Sequence, residues 1–284
     1  MNILIEINDG YYKPAKVMLT SLCENNTFEK HGVYMLYSDL KAENIEDMKT
    51  SMSKYGCTVY PIYVDHKAFE GLPVSHHFSI ETYYRFLMQT MVPETLDRIL
   101  WLDADMIIKG SLKEFYYQDF EDNYIAVCKS INKNPEELID KLCLPKDTVY
   151  FNAGIILFNL VKIRSEIEPK VYFEYAKEHA DRITWLDQDI LNAIFHDKKK
   201  VYDFHKYNYQ HFTDNKTSRQ EDKDVDRNTV VLHYIGSVKP WHFKYRGHTL
   251  KYYRKYARRY ETLIDNIKFD LFHFAYDFKR RVKG

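Results

Sequence analysis

Short apolar runs alternate with helical patterns from the start of the chain. Residues 2–7, 32–37 and 58–64 are apolar and favour strands. Residues 13–24 and 45–55, which lie between them, carry apolar side chains at the spacing of one helical face. Strands that alternate with helices are typical of a parallel sheet with helices on both sides. This part of the chain therefore predicts a doubly wound α/β fold.

The same alternation continues into the second half of the sequence. Further strands are predicted at residues 98–102, 124–128, 154–158, 201–202 and 229–233, and further helices at 82–91, 166–182 and 189–195. Residues 214–228 are polar and rich in charge, which indicates a surface loop. Because neither repeats nor a low-complexity linker divide the sequence, we expect one α/β domain over residues 1–245 and an extension over residues 246–284.

The C-terminal extension is basic, aromatic and periodic. Its apolar residues recur at intervals of three and four, which predicts one helical stripe of Ile264, Ile267, Leu271, Phe274 and Phe278. Residues 244–284 contain twelve Lys or Arg against four Asp or Glu. Such a helix suits contact with a membrane surface that carries anionic lipid. The alternative is a helix that packs on the domain or on a second copy of the chain.

Charge and cysteine content narrow the class of protein. The 41 basic and 41 acidic side chains cancel, which argues against a chain-wide contact with nucleic acid. Cys23, Cys57, Cys128 and Cys143 form no metal-binding pattern, so we expect small buried side chains in a reducing compartment. The first residues lack a signal-peptide pattern, and no apolar run approaches the roughly 18 residues of a membrane span. We expect a cytoplasmic protein, peripheral on the inner face of the cell membrane if the extension is an anchor.

The sequence contains four Asp-x-Asp pairs, and only their sequence context can distinguish a functional pair from accidental ones. They are Asp103/Asp105, Asp187/Asp189, Asp222/Asp224 and Asp224/Asp226. The run that begins at Asp222 resembles a calcium loop. Its sixth position is Arg227 rather than Gly and its twelfth is His233 rather than Glu, which excludes an EF-hand.

Asp103 and Asp105 differ from the other pairs because they directly follow the apolar run 98–102. In open α/β sheets, ligands bind outside the carboxyl ends of the strands. Two carboxylates at such a place lose solvation and repel each other unless a cation joins them. Carboxylate oxygens suit Mg²⁺ or Mn²⁺, with diphosphate oxygens completing the coordination shell. The alternative for this pair is a plain turn or helix-capping role.

Five blocks of the sequence resemble glycosyltransferase family 8, in its bacterial lipopolysaccharide-type α-galactosyltransferase branch and among its glycogenin-like relatives. The blocks are SIETYYRF at 79–86, RILWLDADM at 98–106, YFNAGIILFN at 150–159, WLDQDILN at 185–192 and HYIGSVKPW at 233–241. The resemblance implies a GT-A fold, in which a Rossmann-like, mixed and mostly parallel sheet is flanked by helices. It also implies a UDP-sugar donor, retention of the anomeric configuration and a Mn²⁺ ion, with Mg²⁺ as the alternative.

The resemblance assigns a metal site and a donor site to particular residues. Asp103, Asp105 and His233 would bind the metal. The donor would be bound by a larger set, in which Tyr11 stacks on uracil, Lys239 and Gly236 hold the diphosphate, and the remaining members are Asn8, Asp9, Arg85, Asp103, Ala104, Asp105, Asn152, Asp187 and Gln188. Relatives often carry Asp where Asn8 stands.

Two of these donor-site residues also have a purely structural interpretation. For Arg85 it is an exposed position on the predicted helix 82–91. For Asp187 it is the cap of the predicted helix 189–195.

The expected catalytic residues are Gln188 and Asp187. Retaining glycosidases use a carboxylate nucleophile, whereas the amide of Gln188 is a poor nucleophile and Asp187 is the nearest carboxylate in its block. We therefore expect front-face attack, in which the leaving phosphate takes the acceptor's hydroxyl proton and Gln188 stabilises the cationic sugar. Covalent attack by Asp187 is the alternative.

The acceptor is expected to be a saccharide on a surface polysaccharide, a lipid-linked oligosaccharide or a glycoprotein. Residues 129–144 and 206–215 would face it, and His77 is the predicted contact. Galactose is the preferred donor sugar and glucose the second.

Three other functions are alternatives. A glycogenin-like protein would glucosylate its own chain, and a non-catalytic sugar-binding module would use some of the 25 Tyr for stacking. A nucleotidyltransferase is disfavoured because residues 8–14 lack a Gly-rich basic loop.

Overall fold

A computed structural model describes residues 1–69, 80–131, 134–211, 225 and 228–283 of the chain. The strands in this part are β1 (Asn2–Glu6), β2 (His31–Tyr37), β3 (Cys57–Tyr63), β4 (Arg98–Leu102), β5 (Met106–Ile108), β6 (Ile125–Lys129), β7 (Phe151–Asn159), β8 (Lys199–Tyr202), β9 (Tyr209–Gln210) and β10 (Val231–His233).

The helices of the same residues lie between and after the strands. They are α1 (Tyr12–Asn25), α2 (Ala42–Ser53), α3 (Met88–Met91), α4 (Lys113–Tyr116), α5 (Pro135–Lys141), α6 (Leu160–Glu166), α7 (Lys170–Glu178), α8 (Asp187–Ile194), α9 (Phe204–Tyr207), α10 (Leu250–Ala257) and α11 (Leu263–Lys283). Two 3₁₀ helices, His66–Phe69 and Ile80–Leu87, precede α3.

The main sheet has seven strands in the order β3-β2-β1-β4-β7-β6-β8. β7 pairs antiparallel with β4 and with β6, while the other neighbouring strands pair in parallel. The predicted α/β fold with a mixed and mostly parallel sheet is therefore confirmed. A fully parallel sheet is not formed, because β7 enters between β4 and β6 against their direction.

Helices cover both faces of this sheet and bury two hydrophobic clusters. Ile3 and Ile5 of β1 belong to one cluster, whereas Leu4 belongs to the other. Because each face is buried, β1 and β4 are nearly continuous apolar runs rather than alternating ones. Glu6, two residues after Leu4, shares its face by the two-residue period of a strand. This places a carboxylate at the edge of the second cluster.

A second, three-stranded sheet has the order β5-β10-β9. β10 pairs antiparallel with β5 in a register that places His233 opposite Met106. β9 pairs in parallel with β10. The sequence indicated neither β5 nor β9, whose two or three residues carry little periodicity of their own, whereas β10 lies inside the predicted strand 229–233. The register matters for function, because it brings His233 beside the residue that follows Asp105.

Several predicted elements have to be corrected. The helix expected over residues 166–182 is divided: α6 ends at Glu166 and α7 begins at Lys170. The intervening Pro169 explains the break, because proline disfavours a helical conformation of the residue before it. The helix expected over residues 82–91 is a 3₁₀ helix followed by one α-helical turn.

Two surface predictions are also only partly right. Within the predicted surface loop 214–228, the described residue Val225 is fully buried. Cys143 is exposed, so the prediction of buried cysteines holds for Cys23, Cys57 and Cys128 alone.

The C-terminal extension forms two helices. α10 packs on α1, where Arg259 forms an ion pair with Glu24 and the Tyr260 hydroxyl contacts that of Thr20 at 2.5 Å. The predicted stripe lies on α11 and is exposed; Phe274, for example, is 69% accessible. Among the described residues, no helix has the length and apolar character to cross a bilayer.

Candidate functional site

The carboxyl end of β4 positions Asp103. Its backbone N–H donates to the Gly154 carbonyl of neighbouring β7 at 2.9 Å. The indole N–H of Trp101, the penultimate residue of β4, donates to Oδ1 of the same aspartate at 2.8 Å. The backbone and the side chain of Asp103 are thus both fixed, and Oδ2 faces the end of β10.

The three predicted metal ligands lie together. Asp103, Asp105 and His233 each offer a ligand atom, and these atoms lie within 4.8 Å of one another. His233 Nε2 is 3.2 Å from Oδ1 of Asp105 and 3.7 Å from Oδ2 of Asp103. Within the described part of the chain, Oδ1 of Asp105 is buried and makes no hydrogen bond. Two carboxylates and an imidazole suit a hard or borderline divalent cation such as Mn²⁺ or Mg²⁺.

Gly154 of β7 forms the wall behind this cluster. A Cβ at this position would lie 2.3 Å from Cε1 of His233 and 2.9 Å from Oδ2 of Asp103. Real Cβ atoms do not approach so closely, so any larger residue would displace a ligand. The glycine therefore makes room for the imidazole and the carboxylate, and the residues present fit a metal site.

A hydrogen bond from His233 to Asn208 sets the tautomer of the imidazole. The Asn208 amide NH₂ donates to Oδ1 of Asn152 at 2.9 Å, which turns Oδ1 of Asn208 toward His233 Nδ1 at 3.0 Å. An amide oxygen can only accept, so Nδ1 carries the proton. The lone pair of Nε2 then faces the two carboxylates, which is the form of histidine that binds a metal.

The orientation of Asn152 is fixed from both sides. Its Oδ1 also accepts from the Gly154 N–H at 3.1 Å, and its NH₂ donates to Oε1 of Gln188 at 3.0 Å. The same Gln188 oxygen accepts from the Ala153 N–H at 3.0 Å. The proposed catalytic glutamine is therefore connected to the metal ligand through two asparagines.

A buried carboxylate ends this series of hydrogen bonds. The NH₂ of Gln188 donates to the Tyr150 hydroxyl at 3.0 Å, and that hydroxyl donates to Asp189. Asp189 is fully buried and also accepts from the backbone N–H groups of Thr184 and Trp185. Because a carboxylate accepts only, every donor in the series points from His233 toward Asp189.

Arg85 is buried among the carboxylates. It is 6% exposed, and its Nη1 lies 3.0 Å from Oδ2 of Asp187 and donates to the Ala153 carbonyl at 2.8 Å. Its Nη2 lies 3.5 Å from Oδ1 of Asp103, and its guanidinium stacks 4.0 Å from the Trp101 ring. The alternative of an exposed helix-surface arginine is wrong, because the 3₁₀ helix turns this side chain into the site.

The capping interpretation of Asp187 is also wrong. α8 begins at Asp187 itself, and the preceding Leu186 has φ of 39°, a conformation that is strained for a branched side chain. The carboxylate contacts Arg85, while the backbone N–H groups of Thr184 and Trp185, just before the helix, donate to Asp189. Burial raises the pKa of Asp187 to about 6, although the Arg85 guanidinium opposes that shift.

Lys239 brings a positive charge to the metal cluster. Its buried Nζ donates to Oδ2 of Asp105 at 2.6 Å and to the Tyr234 carbonyl at 2.7 Å. Burial by itself raises the pKa of Asp105, but the Lys239 ammonium, together with the contact to His233, outweighs it and holds this pKa below its usual range. Gly236 has φ of 90°, in the left-handed region that favours glycine, and so turns the chain between His233 and Lys239.

The carboxyl end of β1 contributes a turn and an aromatic surface. Oδ1 of Asn8 accepts from the Tyr11 N–H at 3.1 Å. The Tyr11 ring is 37% exposed and meets the Trp241 ring edge-on at 5.7 Å. Ala104, between the two aspartates of the cluster, is buried.

Two predicted site residues do not join this group in the structure. The Asp9 carboxylate accepts from the Lys41 N–H and from Asn44, so it faces the start of α2. Backbone hydrogen bonding from Lys41 lowers its pKa. His77, the predicted acceptor contact, lies outside the described residues.

A further carboxylate near the site was not predicted. Burial, followed by repulsion from Glu81, raises the pKa of Glu6 to about 8, against the attraction of Arg85. Within the described residues, Oε2 of Glu81 and Nε of Arg85 are buried without a hydrogen-bond partner. The sequence held one signal: Glu6 is the one charged residue of β1, directly after the apolar residues 3–5. Asn208 and Tyr150 carried no comparable signal of their roles.

Comparison with known proteins identifies relatives of this chain. The model of Glycosyl transferase family 8 matches residues 2–244. The chain is 29% identical to a lipopolysaccharide 1,2-glucosyltransferase of Escherichia coli and 30% identical to a lipopolysaccharide 1,3-galactosyltransferase of Salmonella typhimurium. Each match covers 85% of this chain and 73% of the relative.

Solved structures show the same architecture. The galactosyltransferase LgtC, solved in complex with donor and acceptor sugar analogues, matches with a TM-score of 0.80 at 24% identity, over 91% of this chain and 96% of that chain. GlyE of Streptococcus pneumoniae matches with a TM-score of 0.69 at 21% identity, over 98% of this chain and 63% of that chain.

Proposed function

Because the chain belongs to glycosyl transferase family 8 and has the GT-A glycosyltransferase fold, we propose that it moves a hexose from a UDP-sugar to a saccharide acceptor with retention of configuration. Galactose is the preferred sugar and glucose the second, in keeping with the galactosyl- and glucosyltransferases among its relatives. The observation that carries the proposal is a cluster of Asp103, Asp105 and His233 with the Lys239 ammonium bonded to its buried edge.

This cluster suits a nucleoside diphosphate. A Mn²⁺ ion, or Mg²⁺ as the alternative, held by the two aspartates and His233 would neutralise the diphosphate and assist its departure. Lys239 stabilises negative charge that develops on the leaving phosphate, as a buried point charge next to the site. The turn at Gly236 brings backbone close to the same place. On the other side, the exposed Tyr11 ring offers a surface on which uracil stacks, and Asn8 orders the turn that presents it.

The reaction exchanges one C1–O bond of the donor sugar for another. The bond from C1 to the β-phosphate oxygen breaks, and a bond from C1 to the acceptor oxygen forms on the same face. The acceptor's hydroxyl proton passes to the departing phosphate, so UDP leaves with both the electrons and the proton. Arg85 and Asn152 line the donor sugar, with Asp187 and Gln188 beside them.

Gln188 and Asp187 are both poorly suited to covalent attack. Gln188 has both ends of its amide in hydrogen bonds, with Asn152, Ala153 and Tyr150. Asp187 is buried against Arg85. These contacts favour front-face attack, in which the fixed Gln188 dipole stabilises the cationic sugar. Intact-protein mass spectrometry during turnover tests this mechanism, since a trapped sugar ester on Asp187 would overturn it.

A donor screen tests the proposed function. The chain is incubated with Mn²⁺ and UDP-galactose, UDP-glucose or another UDP-sugar, and release of UDP is measured before an acceptor panel of mono- and disaccharides is added. We expect metal-dependent UDP release that a saccharide accelerates. Sugar binding without any turnover would indicate a binding module instead, and a hexose-sized mass increase of the protein would indicate self-glucosylation.

The extension over residues 246–284 is proposed as a peripheral attachment to the domain 1–245. The exposed stripe of α11 suits either a membrane surface or a second copy of the chain. Truncation after Tyr260 separates these from a purely structural role. Loss of binding to anionic liposomes with retained activity supports membrane contact, and a halved mass in sedimentation supports a dimer. Unfolding of the truncated chain contradicts the membrane anchor and supports a helix that packs on the domain or on a second copy of the chain.

A further inference from the structure

The hydroxyl of Tyr150 lies between the proposed catalytic glutamine and a buried carboxylate. Tyr150 directly precedes β7 and is 1% exposed. Its hydroxyl oxygen is 3.0 Å from Nε2 of Gln188, and on its other side it is hydrogen-bonded to Oδ1 of Asp189. Neither Tyr150 nor Asp189 is among the residues assigned above to the metal, the donor or the acceptor. The number of protons that each group carries decides the direction of these hydrogen bonds.

Asp189 fixes the direction in which the Tyr150 hydroxyl donates. Oδ1 of Asp189 accepts from Tyr150, and Oδ2 accepts from the backbone N–H groups of Thr184 and Trp185 at 2.6 and 2.7 Å. Burial, followed by the charge of Asp189, raises the pKa of Tyr150 well above its ordinary value, so the hydroxyl keeps its proton. A hydroxyl has one proton to donate, and a carboxylate can only accept it. The Tyr150 oxygen is therefore an acceptor toward Gln188.

This acceptor determines the orientation of the Gln188 amide. An amide side chain fits the same space in two orientations, which exchange its carbonyl oxygen and its NH₂ group. In the observed orientation, Oε1 accepts from the Asn152 NH₂ and from the Ala153 N–H at 3.0 Å each, while the NH₂ group donates to Tyr150. After a flip, the NH₂ group would face two donors, and the oxygen would face a hydroxyl whose proton is already donated. All three hydrogen bonds would be lost, which is costly for buried donors.

The ring of Tyr150 is held by packing, so its hydroxyl can be removed without changing its shape. The ring belongs to a hydrophobic cluster with Leu138, Ile139 and Leu142, which lie in α5 and directly after it. Phenylalanine keeps this packing and removes a single oxygen atom. The effect of the hydroxyl on Gln188 is therefore open to a clean test.

We propose that Tyr150 is a positioning residue, through which the buried Asp189 carboxylate sets which end of the Gln188 amide dipole faces the donor sugar. Tyr150 acts through Gln188, and Asp189 acts through Tyr150. The catalytic consequence rests on the proposed function, in which Gln188 stabilises the cationic sugar.

Tyr150→Phe tests the first step. It leaves the Gln188 NH₂ group without its acceptor, so we expect kcat for the UDP-sugar to fall about tenfold, the effect of one unpaired donor. Binding of UDP in the presence of Mn²⁺ should be unchanged. Tyr172→Phe is the matched control, because it also removes a fully buried hydroxyl, one without a hydrogen-bond partner among the described residues. Equal kcat in Tyr150→Phe and its control, or a parallel loss of UDP binding in Tyr150→Phe, contradicts the positioning role.

Asp189→Asn tests the second step. An asparagine whose oxygen accepts from Thr184 and Trp185 turns its NH₂ group toward Tyr150, so the hydroxyl proton is redirected to Gln188 and opposes the observed orientation of the amide. We expect kcat to fall about tenfold or more in the wild-type background, but less than about threefold in the Tyr150→Phe background, which has no hydroxyl. Equal losses in the two backgrounds overturn the proposal, because Asp189 would then act without Tyr150. If Asp189→Asn does not fold, the comparison of Tyr150→Phe with its control decides alone.

An NMR measurement tests the same coupling without turnover. The side-chain amide resonances of Gln188, assigned by their loss in Gln188→Glu, report its hydrogen bonds in the folded chain. They should shift in Asp189→Asn, and the same substitution should leave them in place in the Tyr150→Phe background. An unchanged resonance in Asp189→Asn contradicts the inference even where the UDP-sugar is turned over. A shift in a chain that turns over no UDP-sugar supports the inferred direction of the hydrogen bonds and contradicts the proposed function instead.

Discussion

Lys239 Nζ lies 2.6 Å from Oδ2 of Asp105, although 134 residues separate the two in the sequence. Both side chains are nine-tenths buried. The ammonium thus holds one oxygen of the carboxylate while the other oxygen faces His233. Charge compensation of Asp105 is therefore provided by the protein on one side and would be provided by a metal on the other.

Replacement of Lys239 should make stability depend on metal. Lys239→Met leaves the Asp105 carboxylate buried without its partner, which costs about 3–5 kcal/mol of unfolding free energy. Mn²⁺ should increase the unfolding free energy of the variant by more than it increases that of the wild type. Urea unfolding with Mn²⁺ and with EDTA measures both quantities.

The control for this experiment is Lys206→Met, which breaks a solvent-facing ion pair with Glu114. Loss of such a pair costs about 1 kcal/mol or less. Similar losses in the two variants would contradict the buried role of Lys239.

The glycine behind the cluster should be sensitive to one methyl group. Gly154→Ala forces apart the new Cβ and Cε1 of His233, which it would otherwise approach to 2.3 Å. We expect at least about a tenfold loss of Mn²⁺ affinity, as for disruption of groups that support metal ligands. Gly110→Ala is the matched control, because its Cβ would meet its nearest neighbour at an ordinary 3.5 Å. Titration with Mn²⁺, followed by electron paramagnetic resonance, compares the affinities of the two variants. Equal affinities would contradict the assignment of the metal site beside Gly154.

The hydrogen bond between Asn208 and His233 should determine which imidazole nitrogen is free. Asn208→Leu removes the acceptor of the Nδ1 proton, so that the proton can move to Nε2 and block the metal. We expect a 10- to 100-fold loss of metal affinity, roughly the range for such supporting groups. Asn208→Asp keeps the acceptor and should lose less. Nitrogen-15 chemical shifts of the His233 ring report the tautomer directly, and an unchanged shift in Asn208→Leu would contradict the argument.

Asp103 should be essential for transfer but not for folding. Asp103→Asn removes a ligand charge while preserving the size of the side chain, whose Oδ1 accepts from Trp101 at 2.8 Å. Turnover of the UDP-sugar should fall below detection with little change in the melting temperature. Near-normal turnover at saturating Mn²⁺ would exclude this residue from the metal site.

These predictions rest on features that the sequence revealed to different degrees. Asp103 and Asp105 could be selected from the four Asp-x-Asp pairs because they end an apolar strand, a local pattern. His233 entered only through the resemblance, since nothing in its neighbourhood marks a ligand. Asn208 could not be found at all, because its role arises from the meeting of β7, β9 and β10 in space. A local sequence pattern predicts where a strand ends, but it does not predict contacts between distant segments.

The fold shows the same division. β1, β2 and β4 were predictable because their central residues are apolar and buried on both faces, whereas β3 was predictable from its β-branched and aromatic residues. The helix break at Pro169 could be predicted from the sequence, whereas the backbone strain at Leu186 could not. Proline breaks a helix because its ring fixes φ and removes the N–H donor, which is a property of the residue itself. The positive φ of Leu186 is instead imposed by the packing around it.

His211 should make folding stability decline in mild acid. Burial, aided by the nearby His248, lowers the pKa of His211 to about 4 from the ordinary 6.5. Above about pH 6.5 the residue is neutral in both states, and as the pH falls toward 4 the unfolded chain takes up the proton first. Stability is therefore lost in that window, by about 3 kcal/mol at most. Unfolding free energies of His211→Gln should fall less steeply there than those of the exposed-site control His66→Gln; parallel curves would contradict the shift.

β10, which pairs His233 with Met106, is synthesised long after the two aspartates of the site. During synthesis the two aspartates leave the ribosome early, and the third ligand emerges only after almost the whole domain has been made. A nascent or truncated chain that lacks β10 holds a pair of carboxylates without the imidazole that completes them. If Asp103, Asp105 and His233 hold a metal as proposed, a chain that lacks β10 would lack one of the three ligands.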